Sequence, residues 1–160
     1  MSKRNKSIDF ISILVRFLNI LLSFPSLFLI SFLLFKDSKN FLILSYINLI
    51  ISGFCVIIIK NIVKKRRPCD RYFKKRLFSN HYSMPSGHLS SNISLFFLLI
   101  IFHSKFSYIF LASSILIIIY KLLNKEHDFY DLFFAIFLGL FSAIFSSFSY
   151  FNIIKFLFNF

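Results

Sequence analysis

Three short polar clusters interrupt an otherwise apolar chain, and their residue types are those that handle a phosphate ester. They are Lys60-x6-Arg67-Pro68, then Pro85-Ser86-Gly87-His88, then Lys121-x5-His127-x3-Asp131. Together they supply cations for anionic oxygens, two imidazoles able to attack or pass protons near neutral pH, and a carboxylate able to orient one ring. Polar groups beside membrane-length apolar runs carry a desolvation cost, so three such clusters ask for a reason.

Taken singly, each cluster also has a plainer reading. Lys60, Lys64, Lys65, Arg66 and Arg67 form a basic run of the kind that anchors a helix end to anionic lipid, with Pro68 as terminator. Ser86 is a good helix N-cap, but a helix N-terminus also offers unsatisfied N–H groups and a positive dipole end to an anion, and Gly87 lets backbone approach an oxygen. His127 and Asp131 stand four apart at a helix entry and so share one face. Glu126, Asp128 and Asp131 equally suit the dipole end of a helix.

The elements that must position these clusters are apolar runs at 17–35, 41–59, 86–102, 106–120 and 132–154. At about 1.5 Å per residue the first two each span nearly 30 Å, a hydrocarbon thickness. The first run begins near Phe10 if Arg16 snorkels to the headgroups, and Pro25 kinks it. Lys3, Arg4 and Lys6 precede a run too long for a signal peptide, with no small-x-small site after it, which points to an uncleaved anchor. His103-Ser104-Lys105 makes a tight hinge. The expected fold is therefore all-α: a polytopic integral-membrane bundle of about five transmembrane helices. It forms a single membrane domain over 1–160 with a motif-bearing core at 60–131. Five spans put all three clusters on one side.

Composition agrees with that class. The chain is 58% hydrophobic with a mean hydropathy of +0.77, above the range of soluble domains. Its net charge of +13 points to membrane phosphates and away from nucleic acid, because no soluble module is left to present a basic face to a duplex. The 26 Phe are read as lipid-facing residues. Cys55 and Cys69 have no metal-ligand or redox spacing.

In order and spacing, the three clusters together resemble the signature of the type 2 phosphatidic acid phosphatase (lipid phosphate phosphatase) superfamily. That signature reads Lys-x6-Arg-Pro, Pro-Ser-Gly-His and Ser-Arg-x5-His-x3-Asp. The chain matches the first two completely and the third in part, having Tyr120-Lys121 where the family has Ser-Arg. Lys keeps the charge but not the planar fork that grips two oxygens. The resemblance implies that His127 attacks phosphorus to form a phosphohistidine, Asp131 orients its ring, and His88 protonates the leaving oxygen. It also implies that Lys60, Arg67, Ser86, Gly87 and, by position, Lys121 hold the phosphate oxygens, with no metal or other cofactor.

The implied partner is a membrane lipid phosphate in a bilayer: phosphatidic acid, phosphatidylglycerophosphate, a polyprenyl diphosphate or a lipid A phosphate. Its tail would lie between helices. The alternatives are a lipid phosphotransferase and a non-enzymatic membrane protein whose basic loop binds lipid. The expected location is the bacterial inner membrane. Fifteen of the 19 Lys and Arg fall on the clusters' side, which the positive-inside rule places in the cytoplasm. Many bacterial members of the family carry the site outward, so the resemblance points the other way.

Overall fold

A computed structural model of the chain describes residues 24–68 and 82–158. The N-terminal basic residues, Arg16, the start of the first apolar run, Cys69 and most of the basic loop lie outside them. The kink expected at Pro25 falls at their edge.

Among the described residues there are five helices: α1 (Phe24–Phe35), α2 (Lys39–Val63), α3 (Gly87–Ile101), α4 (Ser107–Leu123) and α5 (Phe129–Phe158). Two of them, α2 and the part of α5 up to Asn152, are long and apolar enough to cross a membrane. α3 and α4 are shorter apolar helices, below the roughly 20 residues that a span usually needs.

The helices run past the charges that bound the apolar runs. α2 continues through Lys60 to Val63 and ends where Lys64 turns left-handed at φ 49°, its N–H bonding back to the Lys60 carbonyl. α4 continues through Lys121 to Leu123. A single cation does not stop a helix; a change of backbone conformation does. Lys60 and Lys121 thus sit on last helical turns rather than in loops. The hinge after α3 is as short as expected, with His103 at φ 53° and the Ser104 N–H bonded to the Leu99 carbonyl at 2.8 Å.

α3 is the central helix and packs against all four others. One apolar cluster joins Leu89 and Ile93 of α3 to Ile117 of α4 and to Leu132 and Ala135 of α5. A second joins Leu95 and Leu99 to Leu27 and Phe35 of α1, Leu49 of α2 and Phe110 of α4. Between these lies a buried polar ladder. Asn48 Nδ2 donates to Ser94 Oγ at 3.2 Å, Ser146 Oγ donates to Asn48 Oδ1 at 3.2 Å, and Ser52 and Ser90 share a hydrogen bond at 3.1 Å. Small hydroxyl residues let backbones approach closely, and their mutual bonds satisfy groups that lipid would leave unpaired. The large side chains face out instead: Phe133, Phe137, Phe141, Phe145 and Phe148 of α5 are all exposed.

Candidate active site

On α4 the buried positions are Ser107, Phe110, Ser114, Ile117 and Lys121. Their spacing alternates between three and four residues, which is one seam of a packed helix. That seam points its last member, Lys121, into the bundle end, where it is 4% exposed. Lys60 arrives at the same end on the last turn of α2 and is 5% exposed. It lies within electrostatic reach of Arg67, Lys121 and Asp131.

The backbone ties the three clusters to one another. The Ser83 N–H donates to the Lys65 carbonyl at 2.8 Å, beside an antiparallel bridge between Arg66 and Tyr82. The Ser86 N–H points at the Asp131 carbonyl at 3.4 Å, and the His127 N–H at the Lys121 carbonyl, also at 3.4 Å.

Ser86 occupies the N-cap position of α3, yet its side chain makes no capping bond. Its hydroxyl is fully buried and has no hydrogen-bond partner among the described residues. The plainer reading of Ser86 as a side-chain cap therefore does not hold. At Gly87 an added Cβ would meet Val56 Cγ1 at 3.4 Å, an ordinary contact, so crowding within the protein does not require glycine. His88 follows on the first turn of α3, within electrostatic reach of Lys121, Lys60, Glu126 and His127.

His127 lies two residues ahead of α5 and is 4% exposed, with Nδ1 facing Asp131 Oδ2 at 3.3 Å. Burial disfavours the imidazolium. The Asp131 bond opposes this, while the charges of Arg67 and Lys121 reinforce it. The balance holds the ring below the ordinary histidine value. His127 is thus neutral at pH 7, with Nδ1 engaged by Asp131.

Asp131 also caps its helix. The Asp128 N–H donates to Asp131 Oδ2 at 3.2 Å, and the Asp131 N–H donates to Asp128 Oδ1 at 3.0 Å, a reciprocal capping box. One carboxylate thus both caps the helix and meets the His127 ring. Asp131 is fully buried.

Three further residues enter the site that the motifs do not name as members. Lys65 Nζ donates to Asp128 Oδ2 at 2.5 Å and to Asp131 Oδ1 at 2.8 Å. Burial lowers the Lys65 pKa, but both carboxylates outweigh it and the net shift is upward. Glu126 Oε2 accepts from Lys121 Nζ at 2.6 Å and lies 3.5 Å from Arg67 Nη1. Burial pushes the Glu126 carboxyl up, yet its bond to Lys121 and the nearby cations hold it below its ordinary value. Asp128 and Asp131 carried a signal, since an acid three residues after another reads as a capping box. Lys65 and Glu126 carried none, as their partners come from distant elements. Among the described residues no three His, Cys, Asp or Glu groups converge as metal ligands would.

Beside this cluster an apolar crevice of about 540 Å³ opens between α4 and α5, lined by Ile118, Phe129, Tyr130, Leu132, Phe133 and Phe134, among others.

A family model described as the PAP2 superfamily matches residues 40–155, well over half of the chain. No curated protein and no solved structure gives a match.

Proposed function

The chain belongs to the PAP2 superfamily, and from that premise we propose an integral-membrane phosphatase that hydrolyses a lipid phosphate through a phosphohistidine. Membership implies phosphatase-type activity on phosphate esters. The observation that carries the finer reading is a neutral, carboxylate-held His127 set against buried Lys60 and Lys121 and a partly buried Arg67.

His127 Nε2 attacks phosphorus and the bond to the leaving oxygen breaks. The bound phosphate anion offsets the nearby lysines and lets His88 take up a proton from solvent, which it then gives to that oxygen. Water then attacks the phosphohistidine while His88 takes its proton back, which releases phosphate and restores both rings. Lys60, Arg67, Lys121, the Ser86 hydroxyl and the Gly87 N–H hold the three equatorial oxygens as charge builds on them. The Ser86 hydroxyl, without a partner among the described residues, supports this assignment, because a buried donor left unpaired is costly unless a ligand completes it.

The lipid nature of the substrate is supported by the apolar crevice beginning at Phe129 and Tyr130, next to Asp131. A tail seated there leaves its phosphate at the bundle end. Five spans, with α3 and α4 short because their site ends stop at the membrane surface, complete the proposed arrangement.

The test is phosphate release from a panel of lipid phosphates by purified protein in the presence of a chelator, with His127→Ala as the blank. Release inhibited by vanadate supports the reading; a panel with no release above the blank overturns it.

Two predictions belong to this mechanism. His88→Ala lowers turnover on an alkyl phosphate by about 10²–10⁴-fold, the usual worth of a positioned general acid. It lowers turnover far less on p-nitrophenyl phosphate, whose leaving group needs no proton; equal losses on the two would remove His88 from that role. Glu126 already sits on two of the proposed phosphate cations, so an incoming phosphate must displace its carboxylate. Glu126→Gln therefore tightens the inhibition constant for inorganic phosphate or vanadate by about tenfold, of the order of one charge-assisted hydrogen bond. Weaker inhibition would show that Glu126 positions Lys121 instead.

A further inference from the structure

We propose that Lys65 is a positioning residue for the nucleophile, clamping the Asp131 carboxylate in the plane that His127 needs. It rests on the phosphohistidine reading above. The carboxylate torsion of an aspartate is soft and broad, so a carboxylate held through one oxygen swings. Asp131 Oδ2 carries both the His127 ring and the Asp128 N–H, and Oδ1 takes Lys65 Nζ at 2.8 Å. Lys65 also holds Asp128, the other half of the capping box, at 2.5 Å. One ammonium therefore fixes both carboxylates that set the entry of α5, where His127 sits.

The clamp also joins the two halves of the site. Lys65 lies between Lys60 and Arg67 on the segment that brings phosphate-binding cations. Its own carbonyl is pinned by the Ser83 N–H at 2.8 Å, just ahead of Ser86. A phosphate held by Lys60 and Arg67 is thereby kept in register with His127, across a chain separation of more than sixty residues. Orienting partners of this kind act through the ring they hold rather than on the substrate. The Lys65 side chain is 31% exposed, with both acids in contact and Tyr130 under its ammonium at 5.9 Å, whereas Lys60 and Lys121 are buried.

The groups facing His127 are Arg67 from the segment after α2, His88 from α3, Lys121 from α4, Glu126 from its own loop and Asp131 from α5. All of them remain in a Lys65→Met variant. Removing the ammonium leaves Asp131 a stronger partner for the imidazolium, which moves His127 toward protonation at higher pH.

The experiment is a pH titration of ¹⁵N-histidine-labelled protein in detergent micelles, with His127→Ala assigning the signal, alongside steady-state kinetics. In Lys65→Met the His127 pKa rises by about half a unit or more. The acid limb of the pH–rate profile moves up with it. Turnover falls about tenfold or more while KM stays within about twofold, and Lys65→Arg restores most of both. An unmoved His127 titration overturns the proposal. So does a raised KM at unchanged turnover, which would make Lys65 a phosphate ligand, and so does an arginine variant no better than methionine. A wild-type protein that releases no phosphate, yet shows the shifted titration in Lys65→Met, sinks the phosphatase reading and leaves the clamp standing.

Discussion

Replacing His127 by alanine is expected to lower phosphate release by at least about a thousandfold, to the level of the site's residual electrostatics. The size follows from what is lost. In the proposed mechanism the ring provides the attacking atom, so a variant without it must use water directly. The ring is also already prepared for attack: it is 4% exposed, held at Nδ1 by Asp131, and kept neutral by burial and by the cations around it. Its pKa is lowered, so the wild-type protein keeps the neutral ring to a lower pH than an ordinary histidine would. Activity is lost as pH falls through the lowered value. Asp131→Asn is expected to behave differently. It leaves the nucleophile in place but weakens its orientation and helix cap, costing turnover more than KM. Single-turnover trapping with radiolabelled substrate checks the assignment: label that stays on the protein in wild type and disappears in His127→Ala is the expected result. Label that persists in the variant would put the nucleophile elsewhere.

The residues of the proposed site were legible because phosphoryl transfer would demand particular side chains at particular intervals. Ser86, His127 and Asp131 were conspicuous in an apolar chain for that reason, and the family match over 40–155 agrees with the resemblance they carried. Helix ends were less legible. Apolar runs were bounded at the first charge, Lys60 or Tyr120-Lys121, but a helix tolerates a lysine whose ammonium finds an anionic or polar end. The backbone instead stopped at left-handed Lys64 and at the turn after Leu123. Lys65 was hidden by its neighbours. Within a run of five cations nothing local separates the two proposed to meet phosphate from the one that turns to Asp128 and Asp131. Glu126 was hidden for the converse reason, since an acid near a helix start has a sufficient local explanation and its cations arrive from α4 and the α2–α3 connection. Long-range pairing is set by packing, and packing leaves no mark at a single position.

Substituting Gly139, in the middle of α5, is expected to damage the site although it touches none of its residues. A Cβ there would lie 2.6 Å from Ile93 Cγ2, 2.9 Å from Ile93 Cβ and 2.8 Å from the Ser90 carbonyl oxygen. A flexible side-chain tip could move aside, but a helix carbonyl and a β-branched carbon cannot. α3 and α5 therefore meet here nearly backbone to backbone, the close approach that small residues permit between apolar helices. Ser90 lies one turn from Ser86 and Gly87, and Gly139 lies about 12 Å along α5 from Asp131, so a displaced α5 carries Asp131 and His127 away from His88. Alanine in a helix interior is favoured over glycine by about 1 kcal/mol, whereas overpacking a tight contact costs about 1–3 kcal/mol or more. With backbone as the obstacle, the clash wins. Gly139→Ala is expected to lower the melting temperature in detergent and to reduce turnover, and Gly139→Leu to do both more severely. A Gly139→Ala protein that melts higher than wild type at full activity would show that α3 and α5 do not rely on this contact to hold the two histidines in register.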